Sequence, residues 1–264
     1  MLSLSSHWLG QYSFDKLYPF QEINESPLIN YLLYDSLRFD DINIEDIDKL
    51  LNKDISVNNK LRIAAHYGYI DIIKYLVGQG ANIEAESDKF LLEAAENGYI
   101  DIIKYLFESR VNGVNSSSST EGAFGGQQSQ LIESETRRAD IHEDIDLALQ
   151  VAAKNGHLEI VKYLVDHGAD IHADDYYALE EAAENGHLEI VKYIINLEVN
   201  ADYEKILQVA ARNGYLDIVK YIVSKGANIN AYNDLALILA VDNDHLEIVK
   251  YLIENGANIH ARNN

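Results

Sequence analysis

A thirteen-residue unit recurs along most of this chain, and its spacing limits the fold more than any other feature. The run Ala152-Ala153-Lys154-Asn155-Gly156-His157-Leu158-Glu159-Ile160-Val161-Lys162-Tyr163-Leu164 returns almost unchanged from Ala182 to Ile194, and again from Ala64, Ala94, Ala210 and Ala240. Its glycine falls at Gly68, Gly98, Gly156, Gly186 and Gly214, with Asp244 in the last copy, so the intervals are 30, 58, 30, 28 and 30 residues. A fixed period of this size means an array of small units, none of which can bury its apolar face alone. The 58 equals 28 plus 30, Gly126 lies at the implied midpoint, and Arg138-Ala139-Asp140-Ile141-His142 matches Gly168-Ala169-Asp170-Ile171-His172 at an offset of 30. This arithmetic predicts a seventh, degenerate copy at about 111–137, in register between its neighbours.

Each unit reads as two helices. The first is expected to open at a capping residue, Asn58, Asp88, Asp146 or Asp234, whose side chain can accept a free backbone N–H. It carries one leucine in every well-formed copy (Leu61, Leu91, Leu149, Leu179, Leu207, Leu237) and then a small pair, usually Ala-Ala, that lets helices approach closely. The Asn-Gly that follows suits the left-handed residue ending a helix. In the second helix, Leu158 to Val165, only Glu159 and Lys162 are charged, and they lie three apart on one face. So narrow a solvent stripe requires packing on several sides, and the tyrosine of Lys-Tyr-Leu is assigned to that core. In the degenerate copy Gln128, Gln130, Glu133, Ser134 and Glu135 replace Leu158, Ile160, Tyr163, Leu164 and Val165. That loses on the order of 7–15 kcal/mol of burial, which predicts a loosened joint there.

The run Ala-Ala-x-Asn-Gly-His-Leu-Glu-Ile-Val-Lys-Tyr-Leu-Val-x-x-Gly-Ala-Asp-Ile resembles the ankyrin repeat from its first alanines to its closing hairpin, over about residues 58–264. Its spelling, rich in Lys-Tyr-Leu and Gly-Ala-Asn-Ile, is similar to ankyrin arrays encoded by giant DNA viruses of amoebae. The family's Thr-Pro-Leu-His is missing, with Asn59-Lys60-Leu61-Arg62 and Leu235-Ala236-Leu237-Ile238 at equivalent positions, and the period is 30 rather than 33. Shorter fingers without the usual Thr–His hydrogen bonds are expected. The resemblance implies an all-α solenoid of stacked helix-turn-helix units with short hairpin loops. It further implies a non-enzymatic scaffold that binds a partner protein on the concave face made by hairpin tips and first helices.

Composition narrows the partner. A formal net charge of −22 opposes binding to polyanions, so neither nucleic acid nor an anionic membrane is expected; the plain reading of the charge is solubility, and the sharper one is a preference for a partner with a basic surface. There is no cysteine, and no apolar run approaches a membrane span. With no secretory leader either, an intracellular, cytoplasmic place is expected, in a host cell if the likeness to viral arrays holds. No phosphate loop, dinucleotide fingerprint, zinc-protease motif or nucleophile elbow occurs, so no cofactor, catalytic residue or metal is expected. His157, His187 and His245 share one repeat position about 10 Å apart, too far to converge on one ion, and a structural role at the helix junction is expected instead.

Recognition is expected where the frame is constant and one position varies. The residue two before each glycine reads His66, Glu96, Lys154, Glu184, Arg212 and Asp242, beside a mostly constant Asn that serves helix termination. The fingers add Tyr176, Tyr177, Tyr203 and Tyr232, anchors that bury much area at little entropic cost. The candidate partner-binding set is therefore Tyr176, Tyr177, Tyr203, Tyr232, Lys154, Glu184, Arg212 and Asp242. Residues 1–57 read as an N-terminal segment, rich in aromatics from Trp8 to Phe20, and a divergent helical cap. A rival reading assigns that segment to docking a modifying enzyme such as a ubiquitin ligase, which makes the chain a substrate adaptor. The helix from Leu246 to Ile253 is as apolar as the internal ones, so weak self-association through an uncapped last repeat is also expected.

Overall fold

Helices of nine to twelve residues are marginal alone in water, so the repeats depend on what they bury against one another. The computed structural model describes residues 56–83, 87–116, 144–197 and 201–260. By contacts the chain divides into Met1–Lys60 and Leu61–Asn264. Of the first unit, the described part is a short lead into a helix, where the Ser56 hydroxyl accepts the Asn59 N–H at 3.3 Å. The N-terminal segment, most of the divergent cap and the adaptor's docking site lie outside the described residues.

Twelve helices are described, in pairs: α1 (Val57–His66) and α2 (Ile70–Gly78); α3 (Ser87–Asn97) and α4 (Ile100–Ser116); α5 (144–154) and α6 (Leu158–Asp166). They continue with α7 (Ala173–Glu184) and α8 (Leu188–Leu197); α9 (Tyr203–Asn213) and α10 (Leu216–Ser224); α11 (Ala231–Asp242) and α12 (Leu246–Glu254). The fold is all-α: first helices stack on first helices (α7, α9, α11) and second helices on second helices (α6, α8, α10, α12). The core is the one the repeat implies. Leu179, Ala182 and Ala183 of α7 and Ile190, Val191 and Ile194 of α8 are at most 1% exposed, and their equivalents repeat along the array. Each large side chain so buried contributes about 1.5–3 kcal/mol.

Two expectations need correction. The Lys-Tyr-Leu tyrosines are half-buried rather than core: Ile160, Val161 and Leu164 fill the buried stripe, and Tyr163 turns outward to meet Phe107 at 5.5 Å between ring centres. Two of the expected caps, Asp146 and Asp234, lie inside their helices and bond a finger, as does Glu204 at the equivalent position of its repeat. Asp146, Glu204 and Asp234 accept the N–H of Asp170, Asn228 and Asn258 at 2.7, 3.0 and 2.8 Å, tying each first helix to the finger 24 residues on. Asp170, Asn228 and Asn258 in turn accept the N–H two residues ahead, at 2.8, 3.0 and 2.9 Å. This carboxylate–Asx relay holds the fingers in a sequence that lacks Thr-Pro-Leu-His. Helix capping by aspartate is seen instead at Asp202, which accepts the Lys205 N–H at 2.9 Å.

The junctions between repeats follow one pattern. Tyr99, His157, His187, Tyr215 and His245, each next after its repeat's glycine or Asp244, lay their rings over Gly68, Gly98, Gly156, Gly186 and Gly214. A Cβ on Gly186 would stand 2.3 Å from the Tyr215 ring, and one on Gly156 2.6 Å from the His187 ring. His187 Nε2–H also donates to the Lys154 carbonyl at 2.8 Å, and His245 to that of Arg212 at 2.9 Å, each reaching back 33 residues. His157 makes the same bond to the Glu96 carbonyl at 2.9 Å, with its ring 2.8 Å from a Cβ on Gly98, but reaches back 61 residues. Helix α4 packs directly on α6. The described parts of the α3–α4 and α5–α6 repeats therefore pack directly on one another. The degenerate copy expected between them lies almost wholly outside the described residues. The arithmetic could not foresee this, because a period fixes spacing along the chain and a junction fixes it in space.

Candidate functional site

Direct stacking of α3–α4 on α5–α6 puts six variable residues in one ladder. Read repeat by repeat, His66, Glu96, Lys154, Glu184, Arg212 and Asp242 alternate in charge type at about 10 Å per step. Their backbones are held by constant parts. The asparagine beside each of them but His66, which Tyr67 follows, donates to the carbonyl four residues back, as Asn155 Nδ2 does to Val151 at 2.8 Å and Asn243 Nδ2 to Leu239 at 2.8 Å. The next repeat's histidine bonds the carbonyl of Glu96, Lys154 or Arg212. A fixed main chain thus presents interchangeable side chains. Among these, Glu96, Lys154, Glu184, Arg212 and Asp242 are exposed and His66 is half-buried.

The sequence reading missed two carboxylates in this ladder. Glu181 is 5% exposed and its carboxylate meets Lys154 Nζ at 3.1 Å across the repeat junction. One repeat pair earlier, Glu93, 7% exposed, accepts from His66 Nδ1 in the same way. A buried carboxylate is tolerated only when paired, and here each pairs with the basic residue of the preceding repeat. A signal for this existed. The residue five before the repeat glycine is acidic where the preceding repeat carries His66 or Lys154, and apolar where it carries Glu96 (Val151) or Glu184 (Val209). Arg212 breaks the rule, with Leu239 at that position.

The tyrosines divide. Tyr177 is half-buried on α7 and hydrogen-bonds Glu181, so Tyr177, Glu181 and Lys154 form one cluster. Burial first, then the Glu181 hydrogen bond, push its phenol well above the usual tyrosine range. It therefore stays a neutral hydrogen-bond donor at any physiological pH. Tyr176 is half-buried, its ring 5.0 Å from that of His172, and Tyr203 is half-buried at the first turn of α9. Tyr232 is 66% exposed. Two fingers run through three consecutive left-handed residues: Asp174, Asp175 and Tyr176 at φ 52, 57 and 66, and Tyr232, Asn233 and Asp234 at φ 53, 56 and 58. Asp and Asn tolerate this conformation best, while a tyrosine pays about 1–2 kcal/mol for it. Tyr203 escapes that strain because its finger is two residues shorter. The structure thus unites Tyr177 with Lys154 and puts Glu184, Arg212 and Asp242 on one row, and it leaves Tyr176, Tyr203 and Tyr232 on separate fingers.

The histidines have the junction role described above, and among the described residues no three His, Asp or Glu side chains converge as metal ligands do. Nor is any described helix long and apolar enough to cross a membrane. The chemistry on this face is charge, hydrogen bonding and aromatic contact, which suits recognition. No curated protein matches the chain. The family model described as ankyrin repeats, three copies, matches residues 24–117, 128–205 and 181–263. With most of its length so matched and its helices paired and stacked in this way, the chain belongs to the ankyrin repeat family, whose members serve as protein-interaction modules.

Proposed function

We propose that the chain is a scaffold that binds one partner protein along its first-helix face, with the ladder from Lys154 to Asp242 and the tyrosines Tyr176, Tyr177, Tyr203 and Tyr232 as the contact surface. The observation that carries this reading is the ladder itself: side chains of alternating charge vary on a recurring backbone, whose carbonyls at Glu96, Lys154 and Arg212 are held alike by the next repeat's histidine. Lys154 and His66 are each matched internally by a glutamate, and Glu96, Glu184, Arg212 and Asp242 stand exposed on the same row. Overall charge and the ladder together favour a largely basic partner. The strain at Tyr176 and Tyr232 supports the same face, because strained backbone gathers at binding sites.

The test is affinity capture from a lysate of the native cell, with the full chain and with a variant carrying Glu184→Lys, Arg212→Glu and Asp242→Lys. Loss of a captured protein with the variant is expected; undiminished capture overturns the reading. A third arm lacking the N-terminal segment addresses the adaptor: components of a modifying enzyme recovered only with the full chain would move the proposal there. Self-association keeps some support, from Leu246 at 68% and Ile253 at 41% exposure. It is opposed in one geometry, however. Asp244, at φ 59, places a Cβ where the other junctions have glycine under a ring, so a second copy cannot add as a further repeat does. Light scattering at high concentration that shows a strict monomer would remove self-association from the proposal.

A further inference from the structure

Arg212 is the cation of the ladder that its own array does not match. His66 faces Glu93 and Lys154 faces Glu181, but the place across from Arg212 belongs to Leu239, and Arg212 makes no ion pair with a described residue. The surroundings change with it. Where α7 carries Tyr177, Glu180 and Glu181, α11 carries Leu235, Ile238 and Leu239 at the same three positions. These positions fall on one stripe of the helix with Asp242, and all three residues are partly exposed. Tyr232, in the left-handed opening residues of α11, is open to solvent.

We propose that Arg212 and the apolar stripe of α11 form a subsite for a partner segment that presents a carboxylate beside aliphatic side chains. This deepens the scaffold reading and rests on it. The partner's carboxylate takes the part that Glu93 and Glu181 play inside the array, while its aliphatic side chains cover Leu235, Ile238 and Leu239. A guanidinium is suited to this because it holds a carboxylate through two parallel N–H bonds. The site reverses locally the basic preference set by the rest of the row, and so fixes which end of the partner lies over the last repeat.

The experiment is selection of a random dodecapeptide phage library on the full chain, and in parallel on Leu239→Glu and Leu239→Gln. Leu239→Glu installs the internal carboxylate of the other junctions and should fold, as circular dichroism will check; Leu239→Gln controls for polarity. Peptides with Asp or Glu next to Leu, Ile or Val are expected from the unaltered chain. A synthetic peptide of that class should lose at least tenfold in affinity on Leu239→Glu and on Arg212→Ala, and much less on Leu239→Gln. Equal binding to Leu239→Glu overturns the subsite. Selection of basic peptides alone, lost on Glu184→Lys, overturns it as well while leaving the scaffold standing. A library that yields no peptide on the full chain counts against both.

Discussion

Two junctions of the array are built alike from very different lengths of chain. Between the repeats of Gly156 and Gly186, His187 reaches back 33 residues to the Lys154 carbonyl; between those of Gly98 and Gly156, His157 reaches back 61 residues to the Glu96 carbonyl. The rings lie 2.6 and 2.8 Å from where a Cβ would stand, and the bonds are 2.8 and 2.9 Å long. The glycines share one conformation, with φ of 81° and 84°. Nearest-neighbour contact therefore sets the stack, and the chain connecting two repeats follows from it. A solenoid tolerates this because lengthening a loop costs only about 0.6 kcal/mol per doubling.

The strongest way to break the comparison is to fill the space under the rings. Gly98→Ala and Gly156→Ala each place a left-handed alanine against a histidine ring, and each is expected to cost about 3 kcal/mol in urea unfolding. Gly226→Ala is the reference: its φ is 101° and nothing lies within 4 Å of the new Cβ, so backbone strain alone, about 1–2 kcal/mol, is expected. If Gly98→Ala behaves like Gly226→Ala while Gly156→Ala does not, the long-range junction is not stacked as the short-range one is. The next test removes the rings. His157→Ala and His187→Ala each lose one hydrogen bond to a carbonyl and the contact over glycine, about 1–2 kcal/mol apiece. Equal losses support the comparison, and a silent His157→Ala would end it.

The same two junctions show how far the sequence could be read. Leu179, Ala182, Ala183 and Ile190 announced the helix pair and its core because burial follows local periodicity, and the ladder from His66 to Asp242 was visible as variation in a constant frame. The packing of α4 on α6 was not legible, since repeat arithmetic cannot say which neighbours touch. Nor was the cluster of Tyr177, Glu181 and Lys154, in which two site residues meet through a third that reads as a surface acid. The left-handed fingers at Tyr176 and Tyr232 were also hidden, because no glycine marks them. In each case the missing information is a contact between repeats or a backbone angle.

Removing residues 113–140 takes out 28 residues, the difference between 61 and 33, and makes the two junctions equal in length. Between α4's repeat-length core and α5 this cuts the connection about fivefold, so the array should be unchanged or stabilised by about 1 kcal/mol. Thermal unfolding and circular dichroism check this. Loss of cooperative unfolding would show that the deleted residues hold the junction together.

The smallest effect concerns two internal ion pairs of the ladder, which differ in the base and in Tyr177, which joins the second alone. The hydrogen bond to Glu93 raises the His66 pKa above its ordinary 6.5, more than burial lowers it. Since the folded value lies above the unfolded one, the stabilisation is complete below about pH 6.5 and is lost as pH rises through the raised value. His66 has 38% of its side chain exposed, so solvent screens the pair and the Tm change is expected to be about a degree. The Tm difference between the unaltered chain and His66→Gln should therefore shrink from about pH 6 to about pH 8.5. For Lys154→Gln, which unpairs Glu181, the difference should be larger and flat over that range, because removing one partner leaves a buried carboxylate at every pH tested. Parallel pH profiles for the two variants would mean that the base is interchangeable and that the ladder's first rung carries no titrating contact.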